Sequence, residues 1–278
     1  MAPQLRPMLE GCMLQNLRLL LAVGSLAFVT AFGGATSASA QPLQPAAAEG
    51  KPSPLAGPAG DLFTDLVRDT IGDFRRVPSG ETAAWLGIGA AVTFAGHFAD
   101  RTVTRRLSGA AALEPVFEPG KSIGGARLQL AGALATYTVG KFARSPRVAQ
   151  VGADLFRAQV LAQALTAGVK LSVRRTRPDG SQFSFPSGHT SVTFASATVL
   201  QRDLGWKVGL PAFGVATYVA ASRIQERRHF LSDVAFGAAI GIVAGRTVTI
   251  GRGETRFAMA PMAAPGGGGV SFTWLERR

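Results

Sequence analysis

The apolar and polar positions along the chain follow the pattern of α-helices separated by short polar turns. From about Asp61 onward, apolar residues recur at three- and four-residue intervals, the spacing that gives a helix one apolar face. Turns such as Glu118-Pro119-Gly120 and Asp179-Gly180 separate these stretches. The pattern predicts a helix from about residue 61 and further helices near 82–98, 126–144, 150–173, 190–203, 207–221 and 230–247.

Two of the predicted helices, Thr82–Phe98 and Val234–Val243, are apolar on nearly every side. A helix of this kind is either buried in a bundle or embedded in lipid. A membrane-spanning helix needs about 20 apolar residues. The runs here are shorter and are interrupted or bounded by His97, Arg127 and Arg246. We therefore expect a compact all-α helical bundle, with membrane spans as the alternative.

The C-terminal part of the chain has a different pattern. Residues 255–261 and 270–275 alternate between apolar and polar positions, and Gly266–Gly269 lies between them. This alternation indicates either a short β-hairpin or an extended tail. We accordingly divide the chain from residue 59 onward into a helical domain at 59–252 and a C-terminal tail at 253–278.

The first forty residues have the features of a secretory signal peptide. Arg18 precedes an apolar run, Leu19–Phe32, and the small residues Ala38-Ser39-Ala40 provide a cleavage site. An uncleaved membrane anchor is the alternative, but the run is short and glycine interrupts it. We predict a signal peptide at 1–40, followed by a flexible linker rich in Pro and Ala at 41–58.

The composition agrees with export. The one cysteine, Cys12, lies inside the predicted signal peptide, so the mature chain has no disulfide. With 47% hydrophobic and 17% charged residues, the chain has enough apolar surface to form a core without disulfides. We predict a location in a bacterial periplasm, with association with the inner membrane as a further option.

The net charge of +12 indicates an anionic partner. Nucleic acid, an anionic membrane surface and a phosphorylated substrate all fit the charge. Export argues against nucleic acid, and no aromatic residues alternate with the basic ones in a base-stacking pattern. The chain after residue 40 has three histidines. His189 and His229 lie in segments rich in basic residues and glycine, and we take His97 as structural.

The first basic segment, KLSVRRTRP, contains two cations seven residues apart. Lys170 and Arg177 are separated by two helical turns, so we expect both on one face of a helix that ends at Pro178. Two cations directed at one point can hold a phosphoryl group. A solvated basic helix end is the alternative interpretation, and it is the one we favour for Arg174 and Arg175.

The second segment, SFPSGHT, resembles the start of a helix. After Pro186, the residues Ser187 and Gly188 offer backbone N–H groups just before an apolar helix, an arrangement that binds anions. His189 is then placed to give a proton to a leaving oxygen. An ordinary Ser-capped helix with an incidental histidine is the alternative.

The third segment, SRIQERRHFLSD, pairs a histidine with a carboxylate. His229 and Asp233 are four residues apart, which on a helix puts them on the same face. A carboxylate that is hydrogen-bonded to one ring nitrogen leaves the lone pair of the other nitrogen free to attack phosphorus. Arg223 adds a third cation. A surface His–Asp contact is the alternative. A zinc site is disfavoured by the ligand spacing and the nearby cations, so we predict no metal site.

Taken together, the three segments resemble the signature of a known superfamily. Lys170-x6-Arg177-Pro178, Pro186-Ser187-Gly188-His189 and Ser222-Arg223-x5-His229-x3-Asp233 are similar to the three motifs of the type 2 phosphatidic acid phosphatase superfamily. That superfamily includes bacterial class A acid phosphatases and vanadium-dependent haloperoxidases. The resemblance implies an all-α fold with the site at the helix ends.

The resemblance also implies a role for each motif residue. His229 is the nucleophile, Asp233 its orienter and His189 the general acid. The phosphate-binding residues would be Lys170, Arg177, Ser187, Gly188 and Arg223. The expected function is a phosphatase without metal or cofactor that hydrolyses phosphate monoesters, lipid or soluble, through a phosphohistidine intermediate.

Two alternatives to a phosphatase stay open at this point. A haloperoxidase would hold vanadate on the same cations, with His229 as the vanadium ligand. A non-catalytic protein could bind an anion or an anionic membrane surface through the basic residues alone. Seven residues separate Pro178 from Pro186, so little chain is available for a loop over the site, and the substrate is not determined.

Overall fold

The computed structural model describes residues 59–108, 111–250, 255–264 and 267–276, with side chains described over 64–108 and 112–250. The predicted signal peptide and linker lie outside these residues. Nine α-helices in the described part confirm the all-α fold. They are α1 (Ala59–Arg76), α2 (Gly80–His97), α3 (Asp100–Ser108), α4 (Glu114–Ile123), α5 (Ala126–Phe142), α6 (Pro146–Val173), α7 (Gly188–Leu204), α8 (Trp206–Gln225) and α9 (Leu231–Val248).

Two short helices, α3 and α4, were not predicted from the pattern. The predicted turn at Glu118-Pro119-Gly120 is wrong, since these residues lie inside α4. Pro119 removes one hydrogen bond from the helix. Packing compensates: the Phe117 ring stacks on Tyr218 of α8 with centroids 5.7 Å apart. Helix α3 is amphipathic and buries Val103 and Leu107.

Helix α9 lies at the centre of the bundle and packs directly on α7. Gly237, Gly241 and Gly245 form a stripe along one face of α9. A Cβ atom at Gly241 would collide with the carbonyl oxygen of Ser191, and one at Gly245 would lie 2.6 Å from the Cβ of Thr198. Only glycine allows this approach of the two helices. The stripe therefore fixes where the first turn of α9 lies against the first turn of α7.

Helix α2 runs antiparallel to α9 on another side. Arg246 near the end of α9 donates to Glu81 near the start of α2, at 2.6 Å. At the opposite end, Gly96 faces Leu231. Helices α6 and α7 are likewise antiparallel, with a Thr166–Ser191 hydroxyl contact of 2.8 Å. As a result, the ends of α2, α6 and α8 meet the starts of α3, α7 and α9 at one end of the bundle.

Helix α1 is attached to α6 by a buried ion-pair cluster. The Arg157 guanidinium donates to Asp73 Oδ2 at 2.7 Å and to Asp154 Oδ1 at 2.9 Å. All three side chains are buried. We call Asp73, Asp154 and Arg157 the anchor cluster. Burial raises the pKa of Asp73, although the charge of Arg157 and its hydrogen bonds act in the opposite direction.

Among the described residues, one helix is long and apolar enough to cross a membrane. This is α9, and 83% of the relevant stretch is buried inside the bundle. The consecutive helices α2 and α3 would supply a second span if they counted as one, but they meet at a bend of 70°.

The described tail consists of two antiparallel strands, β1 (Thr255–Ala264) and β2 (Gly267–Glu276). Thr255 pairs with Glu276 and Ala264 with Gly267. The strands are longer than the two alternating segments indicated. The glycines predicted to lie between the strands include Gly267–Gly269, which are part of β2. The backbone hydrogen bonds of the hairpin do not need side chains, so alternation alone underestimates its length.

Candidate active site

The three predicted segments meet at the end of the bundle where the helix ends converge. Lys170 lies in the last turn of α6, and Ser187 caps the start of α7. Arg223 lies in the last turn of α8. His229 lies just before the start of α9, and Asp233 lies in its first turn. The fold thus brings all three segments to one place.

His229 is held as a neutral imidazole with one free nitrogen. The side chain is buried, with 4% exposed. Its Nδ1 lies 2.6 Å from the carbonyl oxygen of Ser184. A carbonyl oxygen only accepts, so Nδ1 carries the proton and Nε2 keeps its lone pair. Burial lowers the pKa of His229, although the nearby Asp233 acts in the opposite direction. This is the protonation state that a nucleophile requires.

The predicted hydrogen bond between Asp233 and His229 is not formed. The two groups are 3.8 Å apart, and His229 precedes α9, so they do not share a helix face as predicted. Asp233 accepts hydrogen bonds from the Phe230 N–H at 2.8 Å and from the Ser184 hydroxyl. The carboxylate therefore acts on His229 through Ser184, whose carbonyl binds the ring.

Asp233 is ionised in spite of its burial. Burial opposes the charge, but the His229 ring, the Ser184 hydroxyl, the Phe230 N–H and the charge of Arg175 outweigh it and hold the pKa of Asp233 below its usual range. A negative charge thus lies behind His229.

Lys170 and Arg177 converge, but not from one helix face as predicted. Helix α6 ends at Val173, and Arg174 adopts a left-handed conformation with φ of 49°. Arg177 therefore lies in the following loop, where its N–H donates to Ser181 at 2.8 Å. Both cations approach the carbonyl of Phe183, Lys170 at 2.7 Å and Arg177 at 3.5 Å. The loop, and not helical spacing, brings them together.

Lys170 and Arg177 differ in how many of their hydrogen-bond donors have a partner. Lys170 also donates to the Pro186 carbonyl at 2.9 Å. Burial, followed by the charge of Arg177, lowers the pKa of Lys170 to about 8. Arg177 Nε is buried and has no hydrogen-bond partner among the described residues. A buried donor without a partner is costly, so this nitrogen is a ready donor for an anion.

The start of α7 supplies backbone donors. The Ser187 hydroxyl accepts from the Thr190 hydroxyl at 2.9 Å and caps the helix. The N–H of Ser187 donates to the carbonyl of Asp233 at 3.0 Å, so that group is not available to an anion as predicted. The first N–H groups of the helix, those of Gly188 and His189, have no acceptor within the helix and favour negative charge.

His189 stands in the first turn of α7 and is half-buried. Burial, then the charges of Arg223 and His229, and further those of Arg177 and Arg228, lower the pKa of His189 to about 4. The ring is therefore neutral at neutral pH in the absence of an anion. A bound phosphate would oppose these cations and raise the pKa of His189. The histidine can then carry the proton that a general acid needs.

Arg223 and Arg228 complete the basic site. Arg223 is buried, and its Nη2 lies 2.5 Å from Glu226 Oε1. Arg228 is exposed and pairs with Asp179 at 2.9 Å. Arg228 was not predicted as a site residue, yet it lowers the pKa of Arg177, after burial. In the sequence, the position of Arg228 directly before His229 could have indicated that it belongs to the site.

Three more residues of the site were missed by sequence reasoning. Ser184, which bonds both His229 and Asp233, lay inside a segment already recognised. Arg175 was predicted to be solvated, and this is wrong, since it binds Asp233 and Asp100. Arg174, in contrast, is exposed as predicted. No signal in the sequence connects Asp100 to residues so far along the chain.

Within the described residues, no three His, Cys, Asp or Glu side chains are arranged to hold a metal ion. The groups that can hold a phosphate are cations and backbone donors. They are Lys170, Arg177, Arg223 and the N–H groups at the start of α7.

The segment that contains the three motifs is similar to a known family. Residues 152–256, which contain all three motifs, match the sequence model of the PAP2 superfamily. This match confirms the resemblance of the three motifs to that superfamily.

Individual relatives are similar over part of the chain. Lipid A 1-phosphatase of Porphyromonas gingivalis is 41% identical over 93 residues, which are 31% of this chain and 21% of that protein. Decaprenylphosphoryl-5-phosphoribose phosphatase of Mycobacterium tuberculosis is 38% identical over 107 residues, which are 34% of this chain and 59% of that protein. The chain thus spans about a fifth of the first relative and less than two thirds of the second.

The transmembrane PAP2-type phosphatidylglycerolphosphate phosphatase of Bacillus subtilis superposes with a TM-score of 0.49 at 20% identity. The superposition covers 68% of this chain and 93% of that chain.

Proposed function

We propose that this chain is a phosphatase that hydrolyses phosphate monoesters through a phosphohistidine on His229. The observation that carries this proposal is the state of the His229 ring: Nδ1 is bound to the Ser184 carbonyl at 2.6 Å, and Nε2 keeps its lone pair. A neutral, oriented imidazole beside three cations is suited to attack phosphorus.

The reaction proceeds in two displacements. In the first, His229 Nε2 attacks the phosphorus atom, the bond to the ester oxygen breaks, and the leaving oxygen takes a proton from His189. In the second, water attacks the phosphorus atom of the phosphohistidine and gives a proton to His189. The phosphorus–nitrogen bond then breaks, inorganic phosphate leaves, and both histidines return to their starting states.

The negative charge of the transferring group is stabilised by the protein. Lys170, Arg177 and Arg223 face the non-bridging oxygens, and the N–H groups at the start of α7 add hydrogen bonds. Arg177 Nε, buried and without a partner among the described residues, gains its first hydrogen bond when phosphate binds. No step of this mechanism requires an additional group.

We further propose a lipid phosphate as the substrate, hydrolysed at a membrane surface after export. The names of the two similar enzymes, lipid A 1-phosphatase and decaprenylphosphoryl-5-phosphoribose phosphatase, support this class. Exposed apolar side chains at the site end of the bundle support it as well. Phe94 and Phe98 are 69% and 75% exposed and contact each other edge to face, and Leu171 is 60% exposed. Such side chains suit contact with acyl chains.

The test measures phosphate release by the purified full chain in excess EDTA. The substrates are a soluble aryl phosphate, phosphatidic acid and a polyprenyl monophosphate in mixed micelles. We expect release with at least the lipid substrates, and we expect His229→Ala to abolish it. Arg174→Gln, which alters an exposed neighbour, is the control and should keep full activity. A faster rate on the aryl phosphate than on both lipids would contradict the lipid assignment.

Two other results would overturn the mechanism. Appreciable turnover by His229→Ala would exclude the phosphohistidine. No release from any substrate, together with bromide oxidation after vanadate loading, would favour the haloperoxidase. An alkaline detergent quench of the wild-type enzyme during turnover of a labelled substrate should trap label on the protein. This label should be stable in base and labile in acid, and His229→Ala should trap none.

A further inference from the structure

Arg175 connects two buried carboxylates beside the proposed nucleophile. Its Nη1 lies 2.7 Å from Asp233 Oδ1, and its Nη2 lies 2.8 Å from Asp100 Oδ2. The guanidinium also lies over the Phe230 ring, 4.3 Å from its centroid. The side chain is 23% exposed. Two ion pairs and a ring contact thus fix Arg175 in one orientation.

Asp100 is a fixed support for Arg175. It is buried in the first turn of α3 and accepts hydrogen bonds from the N–H and the hydroxyl of Ser232, at 2.8 and 2.7 Å. His97 Nδ1 lies 3.2 Å from the same carboxylate. Asp100 is outside the segment 152–256 that matches the superfamily. It therefore joins α3 to the start of α9 independently of the three motifs.

We propose that Arg175 and Asp100 are positioning residues for the proposed phosphatase reaction. We call Asp100, Arg175 and Asp233 the site cluster. Asp100 holds Arg175, and Arg175 holds Oδ1 of Asp233. This leaves Oδ2 of Asp233 to accept from Ser184 and Phe230. The inference deepens the proposed function and rests on it.

The effect reaches the nucleophile through Ser184. The Ser184 hydroxyl donates to Asp233, and the carbonyl of the same residue accepts from His229 Nδ1. If the Asp233 carboxylate rotates, Ser184 loses its side-chain anchor and keeps its N–H bond to the Arg175 carbonyl at 2.7 Å. The imidazole is then held less firmly in one direction. A displacement of about 1 Å in a reacting group can cost on the order of 100-fold in rate. Neither Arg175 nor Asp100 needs to touch the substrate.

Arg175 also affects the protonation of the site. The charged groups facing Asp233 are Arg175 at 2.7 Å, His229 at 3.8 Å and, at longer range, Lys170 and Arg177. Arg175 is one of the groups that hold the pKa of Asp233 below its usual range. Without Arg175 this pKa rises, so Asp233 becomes neutral at a higher pH. The acidic limb of kcat/KM should then move to higher pH.

The experiment compares Arg175→Gln with Arg174→Gln, the same change at the exposed neighbouring residue. For Arg175→Gln we expect kcat on the lipid substrate to fall on the order of 10- to 100-fold, with KM changed less than about threefold. The acidic limb of the kcat/KM profile should move to higher pH. Arg174→Gln should change none of these. Arg175→Lys keeps the positive charge but not the planar guanidinium that binds two carboxylates at once. Compared with Arg175→Gln, it should return the acidic limb of kcat/KM to its wild-type pH and recover only part of kcat.

Asp100→Asn tests whether Asp100 acts by holding Arg175. The change should lower kcat in the same direction as Arg175→Gln, and the double variant should be no worse than Arg175→Gln alone, since both act through one contact. Multiplying losses would overturn the ordered link from Asp100 to Arg175.

Other outcomes separate the two proposals. If Arg175→Gln lowers only the melting temperature, with kcat per folded molecule and the acidic limb unchanged, Arg175 is merely structural and the inference fails. If the wild-type enzyme releases no phosphate, or His229→Ala is active, the proposed function itself fails, whatever Arg175 does.

Discussion

In the part of the chain that the structure describes, Arg157 and Arg175 each bridge two buried aspartates, and the two clusters have different roles. In the anchor cluster, Arg157 binds Asp73 and Asp154, and all three side chains are buried between α1 and α6. In the site cluster, Arg175 binds Asp100 and Asp233 and is 23% exposed. The pairing chemistry is the same, but the surroundings of the two clusters are not.

The difference lies in the charges around each cluster. In the anchor cluster, burial raises the pKa of Asp73, although the charges of Arg157 and Arg76 act in the opposite direction. At the site, cations exceed carboxylates, and the pKa values of Lys170 and His189 are lowered to about 8 and about 4. An excess of cations available to an anion therefore distinguishes a site from a structural ion pair. Four changes test this comparison, from the largest effect to the smallest.

Removing the proposed acid should have the largest effect. His189→Ala should lower kcat on the order of 10²- to 10⁴-fold for substrates with poor leaving groups, because no residue then protonates the leaving oxygen. Stability should hardly change. The measurement is kcat across a series of phosphate esters with leaving groups of different pKa. Equal losses along the whole series would contradict the role of His189 as the acid.

Breaking the anchor cluster should affect stability and not activity. Arg157→Met removes the buried cation shared by Asp73 and Asp154 and leaves Asp73 with the more exposed Arg76. This should cost about 3–5 kcal/mol in the free energy of unfolding. Urea denaturation measures this cost, and kcat per folded molecule should stay within about twofold. The deficit should shrink as the pH falls toward acid, since the raised pKa of Asp73 lets it take up a proton in the folded state. A loss of kcat in folded protein would contradict the comparison.

Titration of Lys170 should have a moderate effect, confined to the site. Its pKa lies at about 8 in the free protein, so the charge that helps to hold phosphate is present below that pH and is lost above it. The inhibition constant for inorganic phosphate should therefore rise above about pH 8, by up to about tenfold per pH unit. Lys170→Arg keeps its charge and should remove this rise. An unchanged pH profile in that variant would contradict the assignment.

Removing a cation outside both clusters should have the smallest effect. Arg174 is exposed, and its Nε donates only to the carbonyl of Leu171 in its own helix, at 2.9 Å. Arg174→Gln should change stability by no more than about 0.5 kcal/mol. Activity should be unchanged. A thermal melt and a single kinetic assay are sufficient, and a loss of activity would show that basic charge near the site acts without specific contacts.

The sequence carried enough information for the helices and for the motif residues, but not for the contacts between them. Apolar periodicity predicted α2 and α9 closely, because both are long and apolar. It missed α3 and α4, which are short and contain charged residues or proline. The three motifs indicated which residues belong to the site, since three segments that combine histidine, basic residues and glycine rarely occur in this order by chance.

The geometry of the site depended on loops that periodicity does not describe. The direct Asp233–His229 bond and the shared helix face of Lys170 and Arg177 were reasonable for continuous helices. Helix α6, however, ends at Val173, and α9 begins after His229. Asp100 could not be predicted, because it reaches the site only through packing of α2 and α3 against α9.

The position of Asp100 also determines how the protein can be dissected. A fragment cut at residue 152, where the superfamily match begins, would contain every motif residue but neither α2 nor α3. It would expose the face of α9 that Gly89 and Gly96 contact, and it would lack the carboxylate that holds Arg175. We therefore expect the smallest fragment that keeps the site aligned to begin no later than Gly80. Libraries or chimaeras built on the motif segment alone should carry the motif residues without the means to align them.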